Sequence, residues 1–215
     1  MSGTLSLLVA LQLAQTCAGG VAPETLLSFA KAESNLNAFA IGDNTDRRSY
    51  APATLPDAVA TAASLIAAGH SVDLGAAQIS WRAGHLQARG LALSASFDAC
   101  TSFRVSAEVL AGCYARTVGA EQQRLRAMAS CYNTGTLDRG AAYAARVWRA
   151  AALVIPAIQI AGAIQAPATP EDIAAPSPRR PPPGLEDALH ASSAVQDDQD
   201  GLGDAFNHNT RKDNP

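Results

Sequence analysis

The sequence predicts a mainly α-helical domain over residues 1–165, followed by a disordered tail over 166–215. Three observations predict it. Hydrophobic residues make up 48% of the 215 residues, enough for one buried core. Interrupted strings of Ala, Leu, Arg and Glu favour helix, while strand-like Val/Ile/Thr alternation is scarce. Beyond about Ile164 the composition changes, and residues 166–215 hold 8 of the 12 prolines, the run Pro181-Pro182-Pro183 and the acidic cluster Asp197-Asp198-Gln199-Asp200. Such a segment cannot bury enough apolar surface to offset the entropy of ordering it, so it reads as a solvated tail, the alternative being a partner-binding segment with extended polyproline structure.

The N-terminal stretch reads as a first helix, with Leu5, Leu8, Val9, Gln12 and Leu13 spaced for one face. No Lys or Arg precedes Lys31, so a positively charged signal-peptide start is not evident. A second helix is expected from Pro23 to about Asn35, because proline suits the first turn and Glu24 complements the dipole there. Leu26, Phe29, Ala30 and Glu33 share one face at offsets of three and four, which puts a carboxylate beside an apolar stripe. Ile41-Gly42-Asp43-Asn44 is a turn signal. Thr54 and Asp57 form a capping pair for a third helix ending before Gly69, with Ala58, Ala62, Leu65 and Ile66 inside.

Residues 71–81 read as short and irregular, strand or loop, with Gly75 marking a close approach or an unusual dihedral. Gly84 and Gly90 break helix, although Leu86 to Leu91 has room for one turn. Further helices are expected over Ser102–Val118 (Val105, Val109 and Cys113 inside), Glu121–Cys131 (Leu125, Met128 and Ala129 inside) and Ala141 to about Leu153 (Tyr143, Val147 and Ala151 on one face). Gly135 is a natural stop after Tyr132-Asn133-Thr134. The uncharged stretch from Ala150 to Ile164 is shorter than the roughly 20 residues of a membrane span and contains Pro156, so no integral span is expected.

Charge and motifs exclude several classes. The net charge of −3 divides into +2 for residues 1–165 and −5 for the tail, and no lysine-rich groove points to nucleic acid. The four histidines have no metal-ligand spacing, and there is no G-x-S-x-G elbow or phosphate loop, so neither metal nor cofactor is expected. Cys17, Cys100, Cys113 and Cys131 permit two disulfides in any of three connectivities, or four buried thiols.

Glu33 sits between an apolar helical face and a polar turn. It is either an ordinary exposed helix carboxylate or held in a partly buried cleft, where desolvation would raise its pKa, as a general acid near neutral pH requires. Gln78 and Asn133 carry amides suited to sugars, and the Tyr132 hydroxyl can hold a carboxylate.

Three separated segments resemble the VirB1-like lytic transglycosylases of type IV secretion and conjugation systems, a group within the goose-type lysozyme-like superfamily. Ala32-Glu33-Ser34-Asn35-Leu36-Asn37-Ala38-Phe39-Ala40-Ile41-Gly42 is similar to the catalytic Glu-Ser segment. Val72-Asp73-Leu74-Gly75-Ala76-Ala77-Gln78-Ile79 is similar to the Gly-Leu-Met-Gln-Ile segment, and Ala129-Ser130-Cys131-Tyr132-Asn133-Thr134-Gly135 to the Ala-Tyr-Asn segment. Ala76 and Ala77 stand where many relatives have the larger Leu-Met pair, a change expected to reshape a sugar subsite.

The resemblance implies a lysozyme-like fold, a periplasmic location, secretion-system partners, and cleavage of the β-1,4 bond between N-acetylmuramic acid and N-acetylglucosamine in peptidoglycan. It implies Glu33 as the acid/base, Tyr132 as the residue that holds Glu33 through its hydroxyl, Gln78 and Asn133 as glycan contacts, and Ser34 and Ile79 as shaping residues. The product would be a 1,6-anhydro sugar. The alternatives are a hydrolytic lysozyme and a noncatalytic glycan-binding or scaffold component of the secretion system.

Overall fold

A computed structural model describes residues 3–165, so the tail expected over 166–215 lies outside the described residues. Six helices and a small sheet follow in the order α1 (Leu7–Cys17), α2 (Pro23–Ser34), β1 (Ile41–Asp43), β2 (Arg48–Tyr50), α3 (Leu55–Ala67), β3 (Val72–Leu74), β4 (Ile79–Ser80), α4 (Ala99–Ala115), α5 (Glu121–Thr134) and α6 (Ala141–Gln165). Two short 3-10 turns, Gln87–Arg89 and Leu93–Phe97, lie between β4 and α4. The domain is mainly helical, as expected, with a four-stranded antiparallel sheet in the order β2-β1-β3-β4.

The main core lies among the helices, where α6 runs along α2 and α4 packs on α1 and α5. The helix at the N-terminus forms, capped by the Ser6 hydroxyl, which accepts from the Val9 amide. Its buried face only partly matches the expected one, since Leu5 and Leu13 pack against the core. Ala10, Leu11 and Ala14 face the core, while Leu8 and Val9 stay 49% and 45% exposed. Alanine lets neighbouring backbones approach closely, and that close packing outweighs burial of the larger side chains.

Two thirds of the way along α6, Pro156 interrupts the hydrogen-bond ladder, yet the helix continues past the expected end at Leu153. Proline costs about 3 kcal/mol inside a helix. Burial of Val154, Ile155 and Ile158 is worth about 1.5–3 kcal/mol each and decides the outcome, with Pro156 left on the exposed side. The stretch Ala141–Ala161 is long and apolar enough to cross a membrane, and a third of its hydropathy window is buried within the protein. Tyr143, Ala144, Val147 and Val154 of this helix pack in the main core.

The expected turn at Ile41–Asn44 is instead strand β1 and the first residue of the hairpin turn. Ile41 pairs with Tyr50 on one side and Leu74 on the other, so β1 is central and buried, and the chain reverses only after Asp43. Helix α4 starts three residues earlier than expected, because the Asp98 carboxylate caps it by accepting from Thr101 N at 2.8 Å. The four cysteines form Cys17–Cys100, joining α1 to α4, and Cys113–Cys131, joining α4 to α5.

Gly75 opens the tight turn between β3 and β4 with φ +78°, and a Cβ there would lie 2.0 Å from the Ser96 carbonyl oxygen. Both strain and collision forbid a side chain. The substitution Gly75→Ala is expected to cost about 3 kcal/mol or more of unfolding free energy in denaturant titrations.

Candidate active site

Glu33 occupies the last turn of α2, where the chain then turns sharply away. Asn35 (φ 56°) and Leu36 (φ 63°) both adopt left-handed backbone, with the Asn35 amide closing on Lys31 O at 3.1 Å. The helix end therefore holds Glu33 at the junction between the helical core and the sheet. Its side chain is only 8% exposed.

Beneath it lie three rings. Phe29, one helical turn earlier, meets Tyr132 edge-on at 5.2 Å and Tyr143 at 6.1 Å, and the two tyrosines stack at 6.5 Å. The Tyr143 hydroxyl donates to Glu33 Oε1 at 2.5 Å, and Arg146 Nη2 stands 3.7 Å from Oε2. Burial dominates the balance and raises the carboxyl pKa to about 7, while Tyr143 and Arg146 pull it down and Asp73 adds a smaller upward push. A carboxylate at a helix C-terminus also faces the negative end of the macrodipole, which disfavours ionisation further.

The turn Gly75–Gln78 approaches from the sheet side and is clamped by three helices. From α2, the Ser34 hydroxyl donates to Ala76 O at 2.6 Å. From α4, Ser102 Oγ accepts from Ala77 N at 3.1 Å. From α5, the Tyr132 hydroxyl donates to Ala77 O at 2.7 Å and lies 2.9 Å from Ser106 Oγ. Since the phenol proton is committed to Ala77, Ser106 is the donor in that second contact.

Gln78 sits in left-handed backbone (φ 49°), and its Nε2 donates to Ala40 O and Gly75 O at 3.1 and 2.9 Å. Its side-chain oxygen is buried without a partner among the described residues. Strain at a buried polar residue with an unfilled acceptor is a common mark of a binding position.

A cleft of about 350 Å³ runs over this junction, lined by Lys31, Glu33, Ser34, Asn37, Tyr50 and Gln78 among others. Glu33, Ser34 and Gln78 are thus brought together. Ile79 is not, because its side chain is buried with Ala77, Leu86 and Val105 beneath the turn. Asn133 lies in the last turn of α5, is not among the cleft-lining residues, and keeps a buried Oδ1 without a partner among the described residues. Ala76 and Ala77 are fully buried, so the small pair alters the core beneath the cleft and not its wall.

The hydroxyl that bonds Glu33 belongs to Tyr143 and not to Tyr132, whose own hydroxyl is spent on the turn. Burial is the first cause that pushes both phenols above their ordinary pKa, so they stay protonated donors. Sequence reasoning placed Tyr143 only in a core repeat and missed Arg146. The usable signal was their spacing of three, which puts both on one helical face. Ser130 fixes the start of α6, with its hydroxyl accepting from Gly140 N and donating to Thr136 O, and a Cβ at Gly140 would stand 2.6 Å from Ser130 Cα.

Among the described residues, Asp43, Asp46 and His70 bring one ligand atom each within 4.8 Å of one another. Asp43 is already committed. Its Oδ2 pairs with His70 Nδ1 at 2.8 Å, and its Oδ1 accepts the Thr45 and Asp46 amides. The cluster pins the β1–β2 turn.

The chain is 37% identical over 134 residues to a type IV secretion system protein virB1 of Brucella suis biovar 1, covering 60% of this chain and 56% of that protein. It is 35% identical over 147 residues to protein virB1 of Agrobacterium fabrum, covering 66% and 59%, and 35% over 150 residues to protein virB1 of Rhizobium radiobacter, covering 68% and 62%. The chain therefore spans a little over half the length of the curated relatives it matches. No family model and no solved structure matches it.

Because folding raises the Glu33 pKa, the native state binds this proton more tightly than the unfolded chain. Stability is then unaffected below about pH 4.5, falls as pH rises to about 7, and stays reduced above it. The substitution Glu33→Gln keeps an acceptor for Tyr143 and removes the charge. At pH 8 it is expected to stabilise the fold by up to about 3 kcal/mol, an advantage that disappears at pH 4 in the same unfolding measurements.

Proposed function

We propose that this chain is a VirB1-type peptidoglycan lytic transglycosylase with a lysozyme-like catalytic unit over residues 1–165. It would act in the periplasm to open the wall locally for a type IV secretion or conjugation apparatus. The similarity to virB1 proteins supports the family, and that to the type IV secretion system protein virB1 of Brucella suis supports the setting. The observation that carries the chemistry is the buried carboxyl of Glu33, with its pKa near 7, at the edge of a cleft.

In this reading, protonated Glu33 gives its proton to the glycosidic oxygen between N-acetylmuramic acid and N-acetylglucosamine as the C1–O bond breaks. The neighbouring acetamido oxygen bonds to C1 and carries the developing charge. Glu33, now a carboxylate, takes the proton of the muramoyl 6-hydroxyl, whose oxygen displaces the acetamido oxygen from C1. The ring closes as a 1,6-anhydro sugar without net addition of water.

One carboxyl suffices because the substrate supplies the second nucleophile, a recognised exception to the two-acid pattern. The nearby acids support that economy. Asp43 is fully buried in its pair with His70, and Asp73 accepts from Asn44. Tyr143 holds Glu33 in place, and Tyr132 acts indirectly by holding the turn that carries Gln78. The unfilled oxygen of Gln78, at the cleft, suits an amide N–H donor, which the glycan presents at each acetamido group.

Mass spectrometry of purified wall glycan incubated with the protein is expected to show anhydromuramoyl ends, and E33Q is expected to lose at least a thousandfold in turnover. Reducing ends would assign a hydrolytic lysozyme instead. Glycan binding without cleavage would assign a noncatalytic scaffold.

The acid must be protonated at the start of the cycle, so kcat/KM is expected to hold up to about pH 7 and then fall about tenfold per unit. A profile flat to pH 9 would remove Glu33 from the acid role.

A further inference from the structure

We propose that Arg146 is the positioning counter-charge for Glu33, held within electrostatic reach but outside hydrogen-bond range so that it stabilises the carboxylate without occupying it. The inference rests on Glu33 as the proton donor and adds the group that receives the charge left behind.

Three geometric facts support it. First, the two partners on α6 divide the carboxyl between them. Tyr143 donates to Oε1, while the Arg146 guanidinium stands 3.7 Å from Oε2. That distance is too long for an N–H···O bond, so Oε2 keeps its capacity to carry and release a proton. Second, the guanidinium carbon lies 4.9 Å from the centroid of the Tyr143 ring. The cation is thereby fixed over the phenol that also holds Glu33. Third, the Arg146 side chain is 30% exposed against 8% for Glu33, so the cation keeps part of its hydration while the acid does not. A fully sealed pair would hold the carboxyl permanently ionised or incur the cost of burying both charges.

The other groups that face Glu33 do not supply this role. Tyr143 and Tyr132 are neutral phenols, Asp73 on β3 disfavours ionisation, and Lys31 on the same helix is a cleft-lining residue. With burial alone the acid would be too weak to release its proton readily. Arg146 offsets that burial without cancelling it.

The test uses the full chain without glycan, following the Glu33 carboxyl carbon by NMR titration. R146M keeps apolar cover on the Tyr143 ring and removes the charge, R146Q is a second neutral variant, and R146K keeps the charge without the planar group. The Glu33 midpoint is expected to rise by about one pH unit in R146M and R146Q, a tenfold change in ionisation, and to stay within about 0.3 units of wild type in R146K. In the cleavage assay the alkaline limb should move the same way while the plateau kcat falls about tenfold. An unmoved midpoint in a folded neutral variant would overturn the proposal. So would an R146K shift as large as that of R146M, since packing on the ring and not charge would then be responsible. If the midpoints shift as expected but wild-type protein releases no glycan fragments, the counter-charge stands and the cleavage reading fails.

Discussion

Glu33 keeps only 8% of its side chain exposed, and an ionised carboxyl in such a place loses most of its hydration. That cost is the constraint on which the arrangement around it depends. Moving the group to the surface would remove the cost together with the raised pKa. Pairing it tightly with a cation would hold it ionised. The structure does neither. It gives Glu33 an aromatic floor of Phe29, Tyr132 and Tyr143, one hydroxyl donor, and one guanidinium at a distance. The Tyr143 hydroxyl and the Arg146 guanidinium favour ionisation, and burial, which opposes it, remains the largest influence.

The second requirement is a partner surface at fixed distance from that carboxyl. The turn between β3 and β4 meets it because its backbone has no freedom left. Ser34, Ser102 and Tyr132 hold Ala76 and Ala77 from three different helices, and Gly75 admits no side chain against Ser96. The left-handed backbone at Gln78 is sustained by these bonds, since a single residue in that region costs of order 1 kcal/mol or more. The disulfides reinforce the same framework, tying α4 to α1 and α5, the helices that flank or carry two of the three clamps.

Local chemistry in the chain was readable wherever neighbouring residues decide the outcome. Pro23 starts α2, Thr54 caps α3, Gly135 stops α5 in left-handed backbone, and Gly75 marks the close approach. The face of α1 was only partly legible, because spacing alone does not show which of Leu5, Leu8, Val9 and Leu13 the neighbouring helices cover. Between closely packed helices, small Ala10 and Ala14 are the better fit. The extension of α6 past Leu153 was not legible because the cost of Pro156 is local, while the burial that outweighs it is supplied by helices elsewhere in the chain, α2 and α5 among them.

The sequence by itself determined a mainly helical domain, a second helix carrying a carboxyl on its apolar face, and a glycine turn presenting Gln78. These follow from periodicity, capping and backbone sterics, which act over a few residues. Only the tertiary structure decided which tyrosine bonds Glu33, that Tyr132, Ser34 and Ser102 converge on one turn, and that Arg146 stands beside the acid. Those contacts join residues 25 to 113 positions apart. Their partners are set by how α2, α4, α5 and α6 pack, a three-dimensional fit that no short stretch of chain encodes.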